Sequence, residues 1–229
     1  MDNSLLFPII LTNLNTPWEK VLDEGTKMTF QPKFIISGRT TNSNGDSGIY
    51  YIKRGCIKLS NISSSGQERI ILYMGKGCVF NEVPMLQFSK DYIFSCLEQT
   101  EVVFWSKKIL DSEFIKTHPE LINNLLISMS RKSQSFYAQL CVARSYDSFV
   151  NVCRALYSMY LFNKEGDMVV PRLTQLDLAA FLGIHRSSLH KALNRLKEEG
   201  IIGNYTRGNL PIHDPERLEC YVNTIEGVC

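Results

Sequence analysis

The chain has 229 residues, with 25 basic and 23 acidic side chains and a formal net charge of +2. At roughly 100–200 residues per domain, this length allows one or two domains. A hydrophobic content of 44% and a charged content of 21% exclude wholesale disorder, a collagen-like fibre and a membrane channel. The near-neutral balance means that any surface for a polyanion has to be local.

Near the N-terminus the longest apolar run, Leu5 to Leu11, is broken by Pro8 and follows Asp2. It is too short to span a bilayer and lacks the basic lead of a signal peptide. Seven cysteines stand at 56, 78, 96, 141, 153, 220 and 229. Their wide spacing matches no zinc or iron–sulfur ligand set. Reduced thiols in a cytoplasmic protein are the expectation.

Residues 28–105 read as short strands cut by polar turns. Examples are Phe34-Ile35-Ile36, Ile49 to Ile52, Cys56 to Leu59, Ile70 to Tyr73 and Glu101 to Trp105. The breakers are Ser37-Gly38, Asn44 to Asp46, Arg54-Gly55 and Gly75 to Gly77, with a hairpin loop over Ser63 to Gln67. Regular β-branched and aromatic runs between turn signals predict an antiparallel barrel or sandwich.

The second half reads as helices. A short helix is expected over Lys107 to Thr117, followed by a long one from Pro119 to about Arg144, a span without Gly or Pro. Proline suits the first helical position because its missing N–H costs nothing there. This helix carries a heptad stripe of Ile122, Met129, Phe136 and Ala143, with Leu126 and Leu140 beside it. Leu125, Lys132 and Gln139 complete the seam. Such a stripe packs on the chain's own β-structure or on a second copy of the helix. A third helix is expected over Phe149 to Phe162, ended by Asn163 to Asp167, with a domain boundary near residue 146.

The most informative segment runs from Thr174 to Gly200. Thr174 with Asp177 forms a capping box, Leu178, Ala179 and Leu182 form a buried face, and Gly183 permits a sharp turn. A second helix over Arg186 to Glu199 buries Leu189, Ala192, Leu193 and Leu196. This is the pattern of a helix-turn-helix. Its second helix exposes Arg186, Ser187, His190, Lys191 and Asn194, and no acidic residue occurs between Gly183 and Lys197. A helix that begins with Arg, Ser and Lys can enter a major groove and meet base edges and phosphates. Ser188 suits a phosphate, and Thr174, Gln175 and Arg195 complete the candidate DNA contacts. Beyond Gly200, a two-stranded wing turns at Arg207 to Asn209, which puts Arg207 at its tip. A closing helix over Asp214 to Val222 has Asp214 as its cap.

These stretches, together with GIYYIKRGCIKLS (48–60), GQERIILYMGKGCVFNE (66–82) and EVVFWS (101–106), resemble the catabolite activator / fumarate–nitrate regulator (Crp/Fnr) family of bacterial transcription factors. The resemblance covers nearly the whole chain from about residue 20. It implies an α+β fold with an N-terminal antiparallel β-roll (a cyclic-nucleotide-binding-like barrel) over 1–117, a dimerisation helix over 118–145 and a winged helix-turn-helix over 146–229. It also implies a homodimer on palindromic operator DNA, RNA polymerase as a partner, no membrane association and no enzymatic activity. The dimer contacts would be Ile122, Leu125, Met129, Phe136 and Leu140.

Glu82 falls where cyclic-nucleotide-binding relatives hold the ribose, but Lys90-Asp91 replaces their phosphate-binding pair. A carboxylate facing a cyclic phosphate is unfavourable. The branch that regulates reductive dehalogenation is similar through GQERIILYMG and the central helix. By that resemblance Tyr73 and Lys132 would contact an aromatic or halogenated acid, with Glu82 and Lys90 also at the effector site. A lysine buried on the seam demands an anion; the other readings are a snorkelling or register-setting lysine. By the same resemblance no cofactor is expected: oxygen-sensing members carry a cysteine cluster near the N-terminus and haem-binding members a histidine on the barrel or central helix, whereas here there is no cysteine before Cys56 and the first histidine, His118, lies at a helix start. The alternatives are an effector-independent regulator or one that senses redox state through Cys96 or Cys141.

Overall fold

The computed structural model describes residues 6–37, 47–62, 68–83, 92–145, 147–166 and 168–223, with the side chains of 141–145 left aside. Two compact units divide within one long helix: Ile10–Ser133, and Gln134–Cys229 with Met1–Ile9.

The first unit holds two sheets. One has the order β1(Ile10–Leu11), β6(Glu68–Gly75), β5(Cys56–Ile62), β8(Ile93–Cys96), β3(Ile35–Ser37). The other has the order β2(Thr26–Phe30), β9(Thr100–Ser106), β4(Gly48–Arg54), β7(Val79–Phe80). Every pairing is antiparallel except β1 with β6. Among the described residues the two sheets do not close into a barrel; of the two sequence expectations, barrel or sandwich, they match the open one. Gly55 carries the chain from β4 in one sheet to β5 in the other at φ 104, where a Cβ would stand 2.8 Å from the Thr100 Cα. The expected strand runs all appear. A 3-10 helix over Thr16–Glu24, the strands β2 and β8 and the two-residue strands β1 and β7 are additions to the named runs. The hairpin loop at 63–67 lies outside the described residues.

Aromatic rings join the two sheets. Tyr50 stacks on Phe80 at 5.0 Å, and Phe80 meets Phe94 of the other sheet at 5.0 Å. A second cluster sets Trp18 edge-on to Trp105 at 5.1 Å, with Phe114 beside it and Leu121 fully buried against it. Offset and edge-on rings of this kind add stability beyond their buried area.

The helix expected at 107–117 is two, α1(Lys107–Leu110) and α2(Glu113–Thr117), because Ser112 caps the second on the Phe114 N–H. Then α3(Pro119–Ser145) runs for 27 residues, ~40 Å at 1.5 Å per residue.

The second unit contains α4(Ser148–Phe162), capped by Asp147, a hairpin of β10(Lys164–Glu165) and β11(Met168–Val169), α5(Gln175–Leu182), α6(Arg186–Glu198) and α7(Pro215–Asn223). The segment 163–167, which the sequence marks only as a helix stop, leads into the β10–β11 hairpin. The expected two-stranded wing reduces to a single antiparallel bridge, Ile202 to Ile212. Around that bridge the Gly203 N–H donates to the Pro211 carbonyl and the His213 N–H to that of Ile201, Thr206 N–H closes the turn on the Asn209 carbonyl, and Leu210 N–H leaves the wing for the carbonyl of Val169. Cys220 is disulfide-bonded, against the expectation of reduced thiols. Cys56, Cys78, Cys96 and Cys153 are buried.

Candidate nucleic-acid interface and effector site

The helix-turn-helix forms as its residues require. Thr174 Oγ1 accepts from the Asp177 N–H at 3.1 Å and the Asp177 carboxylate accepts from the Thr174 N–H at 3.1 Å, so the capping box closes both ways. Two of the orphan N–H groups at the start of α5 are thereby satisfied. Thr174→Ala is expected to lower the stability of this unit by about 1 kcal/mol, read in a urea melt. Gly183 ends α5 in the left-handed region at φ 66, and a Cβ there would meet nothing within 4 Å. Gly183→Ala is therefore purely a backbone test, with an expected loss of about 1–2 kcal/mol; an unchanged melting temperature would contradict this account of the turn.

Leu189, Ala192, Leu193 and Leu196 turn α6 inward, while Arg186, Ser187, His190, Lys191 and Asn194 stand on its exposed side. Asn194 Nδ2 lies 3.1 Å from His190 Nε2. Ser188 is half-buried, as is Gln175 at the start of α5, and Thr174 is exposed. The first turn of α6 holds no acidic residue, and His185 makes no side-chain cap.

Two expected DNA contacts have partners within their own unit. Arg195 Nε donates to Glu199 at 2.9 Å, Nη2 donates to the Tyr221 hydroxyl at 3.4 Å, and the guanidinium lies 4.0 Å from the centre of the Phe149 ring. Arg195 thus braces α6 against α4 and α7. Burial alone would raise the Glu199 carboxyl, yet hydrogen bonds from Tyr221 and Arg195 hold it below its usual value. Arg207 is exposed, and its Nε donates to the Arg172 carbonyl at 3.0 Å.

The other constellation lies in the first unit. Lys132 and Glu82 form an ion pair with side chains only 9% and 7% exposed. Lys132 Nζ also donates to the Val79 carbonyl at 2.7 Å. Asn81, in the left-handed region at φ 73, turns the chain between Phe80, which packs inward, and Glu82. One and two turns back along α3 the polar contacts continue. Ser128 Oγ donates to Asn15 Oδ1 at 3.0 Å, Asn15 Nδ2 donates to Asn124 Oδ1 at 2.8 Å, and Asn124 Nδ2 donates to the Leu14 carbonyl at 3.1 Å. Asn15 Oδ1 also accepts from the Val79 N–H at 2.9 Å. Beside the pair, burial pushes the Cys78 thiol up to about 11 although Lys132 pulls it down, and Sγ donates to the Leu11 carbonyl.

The structure therefore brings together Glu82 and Lys132. Tyr73 is fully buried in β6, and Lys90 lies outside the described residues. Asn15, Asn124 and Ser128 are absent from the sequence-derived site. The 4-residue spacing of Asn124, Ser128 and Lys132 was their signal, a polar stripe on one helix face. The Cys96 thiol is raised by burial to about 11, so it is protonated near neutrality and a poor redox sensor. The side chain of Cys141 falls outside the described set.

On α3, Ile122, Leu126 and Leu140 are exposed, and Leu125, Met129 and Phe136 are half-buried. Ile122, Leu126, Met129, Phe136 and Leu140 follow the alternating spacing of a coiled-coil seam. Leu121, Ser128 and Lys132 form the adjacent, buried stripe.

The Crp-like helix-turn-helix domain matches residues 151–221, and the cyclic nucleotide-binding domain matches residues 40–116. The anaerobic regulatory protein of Bacillus subtilis (strain 168) is 25% identical over 180 residues, covering 76% of this chain and 75% of that one. The cyclic AMP receptor protein of Thermus thermophilus is 24% identical over 176 residues, covering 76% and 80%. Among solved structures, CprK complexed with OCPA superposes with a TM-score of 0.71 at 18% identity, covering 91% of this chain and 97% of that one. Among the described residues no helix is long and apolar enough to cross a membrane. With a cyclic nucleotide-binding domain ahead of a Crp-like helix-turn-helix, the chain is a transcription regulator, not an enzyme, and belongs to the Crp/Fnr family.

Proposed function

We propose that two copies of this chain pair through the exposed stripe of α3 and together read a palindromic duplex, one α6 in each of two successive major grooves. The observation that carries the reading is the composition of α6: aliphatic on the buried side, and Arg186, Ser187, His190 and Lys191 on the open side. Arg186 reads a base edge. Lys191, Ser188, Thr174, Gln175 and Arg207 meet phosphates and set the register. Half-sites about 34 Å apart, one helical turn, suit such a dimer. The unpaired Ile122, Leu126 and Leu140 support pairing, since an apolar seam at coiled-coil spacing is stabilised by a second copy. RNA polymerase is the proposed partner through which bound DNA is put to use.

In the same reading, the region around Lys132 and Glu82 is where a small effector acts, with an aromatic or halogenated acid as the class suggested by the resemblance. The Glu82–Lys132 pair favours a second version, in which the chain binds DNA without an effector, since the ammonium already has its anion.

Selection of duplexes from a random pool, followed by anisotropy titration and sedimentation, tests the proposal. A palindromic consensus bound by two chains is the expected result. A chain that remains monomeric, or that selects no sequence, would overturn it.

A further inference from the structure

We propose that Glu82 is a tethered anion occupying the Lys132 site, so that the site is closed to free monoanions and admits only a ligand that brings both an acceptor for Lys132 and a hydrogen-bond donor for Glu82. This rests on the effector site just proposed and deepens it, replacing the aromatic or halogenated acid suggested by the resemblance with a ligand that also carries a donor for Glu82.

The argument begins with what surrounds the ammonium. Lys132 Nζ is held by Glu82 and by the Val79 carbonyl, and both charged side chains are more than nine-tenths buried. A carboxylate on the same chain competes at a high effective concentration against any dissolved anion. A free anion that displaced Glu82 would also strand a second carboxylate in the interior, where an unpaired charge is severely unfavourable. A simple acid therefore faces two barriers, and a molecule with a donor and an acceptor faces only the first: it must still part the two side chains, but it satisfies Glu82 as it satisfies Lys132. The surroundings are polar: Asn124 and Ser128 on the same face of α3, with Asn15 packed against them, put amide and hydroxyl groups rather than methyl groups next to the pair, bonded to one another and to the Leu14 carbonyl. Glu82 is thus a specificity-determining residue, and the ligand class is a zwitterion or a polyhydroxyl compound, not a monoanion.

The test removes the tether. Thermal melts of the full-length chain are run in sodium acetate and in sodium chloride at equal ionic strength. The wild type is expected to melt at the same temperature in both. Glu82→Ala is expected to melt lower in chloride and to rise by several degrees, saturably, as acetate refills the space beside Lys132. Glu82→Ala/Lys132→Met is expected to lose that response. Should Glu82→Ala not fold in chloride, recovery of its fold in acetate is the same result. The mirror variant, Lys132→Ala, is expected to recover with propylammonium chloride and not with acetate. The proposal is overturned if acetate stabilises the wild type as much as Glu82→Ala, if the double variant still responds, or if neither single variant recovers with its probe. All these readouts are thermal, so a wild-type chain that failed to bind DNA would sink the regulator reading without altering the outcome here.

Discussion

Lys132→Met is expected to lower the unfolding free energy by about 3–5 kcal/mol, because it leaves Glu82 charged and alone in the interior. The pair is only 9% and 7% exposed, so solvent does little to screen the stranded carboxylate. An exposed ion pair would give 1 kcal/mol or less. Glu82→Leu in the same background removes the orphan charge, and the double variant is expected to recover most of the loss. The coupling read from the cycle separates the cost of stranding a charge from the net worth of the pair. Chemical denaturation of the two single variants and the double variant provides the measurement. Additive losses would show that Glu82 and Lys132 do not meet in solution.

The second large effect concerns DNA. Arg186→Ala is expected to relax base preference at one position of each half-site by about 1–3 kcal/mol, the worth of a bidentate arginine–guanine contact. That corresponds to roughly 5- to 150-fold in relative affinity. Lys191→Ala is expected to weaken binding to all duplexes alike, and to reduce the slope of log affinity against log salt by about 1, since it removes one phosphate contact. Anisotropy titrations on selected and scrambled duplexes at several salt concentrations distinguish the two. Equal losses on both duplexes for Arg186→Ala would overturn its base-reading role. Arg195→Ala is expected to act chiefly on stability, because its guanidinium is already committed to Glu199, Tyr221 and Phe149.

Local chemistry explains why some elements were readable in advance. The Thr174–Asp177 box and the Gly183 cap on the Ala179 and Ala180 carbonyls each act over three or four residues, so spacing alone predicts them, and both appear as expected. The β-branched runs of the first half behave likewise, since alternation and flanking turns are sequence-local. The strands β1 and β7 are two residues long and exist only because β6 and β4 offer them partners. Two residues carry no periodicity. The wing is shorter than its apolar pairs suggest. Its two arms pair at Ile202 and Ile212, with Gly203 N–H on the Pro211 carbonyl, but Leu210 N–H goes to the Val169 carbonyl rather than across the wing, so the ladder stops at one bridge.

The site divides in the same way. The exposed face of α6 follows from helical period once Leu189, Ala192, Leu193 and Leu196 are taken as buried, so Arg186 and Lys191 were legible. The partners of Arg195 were not, because Phe149 and Tyr221 stand 46 residues before it and 26 after it in the chain. Composition and periodicity thus determined that this protein has a β-rich half, a long helix and a helix-turn-helix with a cationic face, since hydrophobic period, caps and turns act over a few residues. Only the tertiary structure decided what meets the ammonium of Lys132. Glu82 lies 50 residues away, and the pleat of β7, the left-handed turn at Asn81 and the packing of α3 are all needed to bring the two charges together.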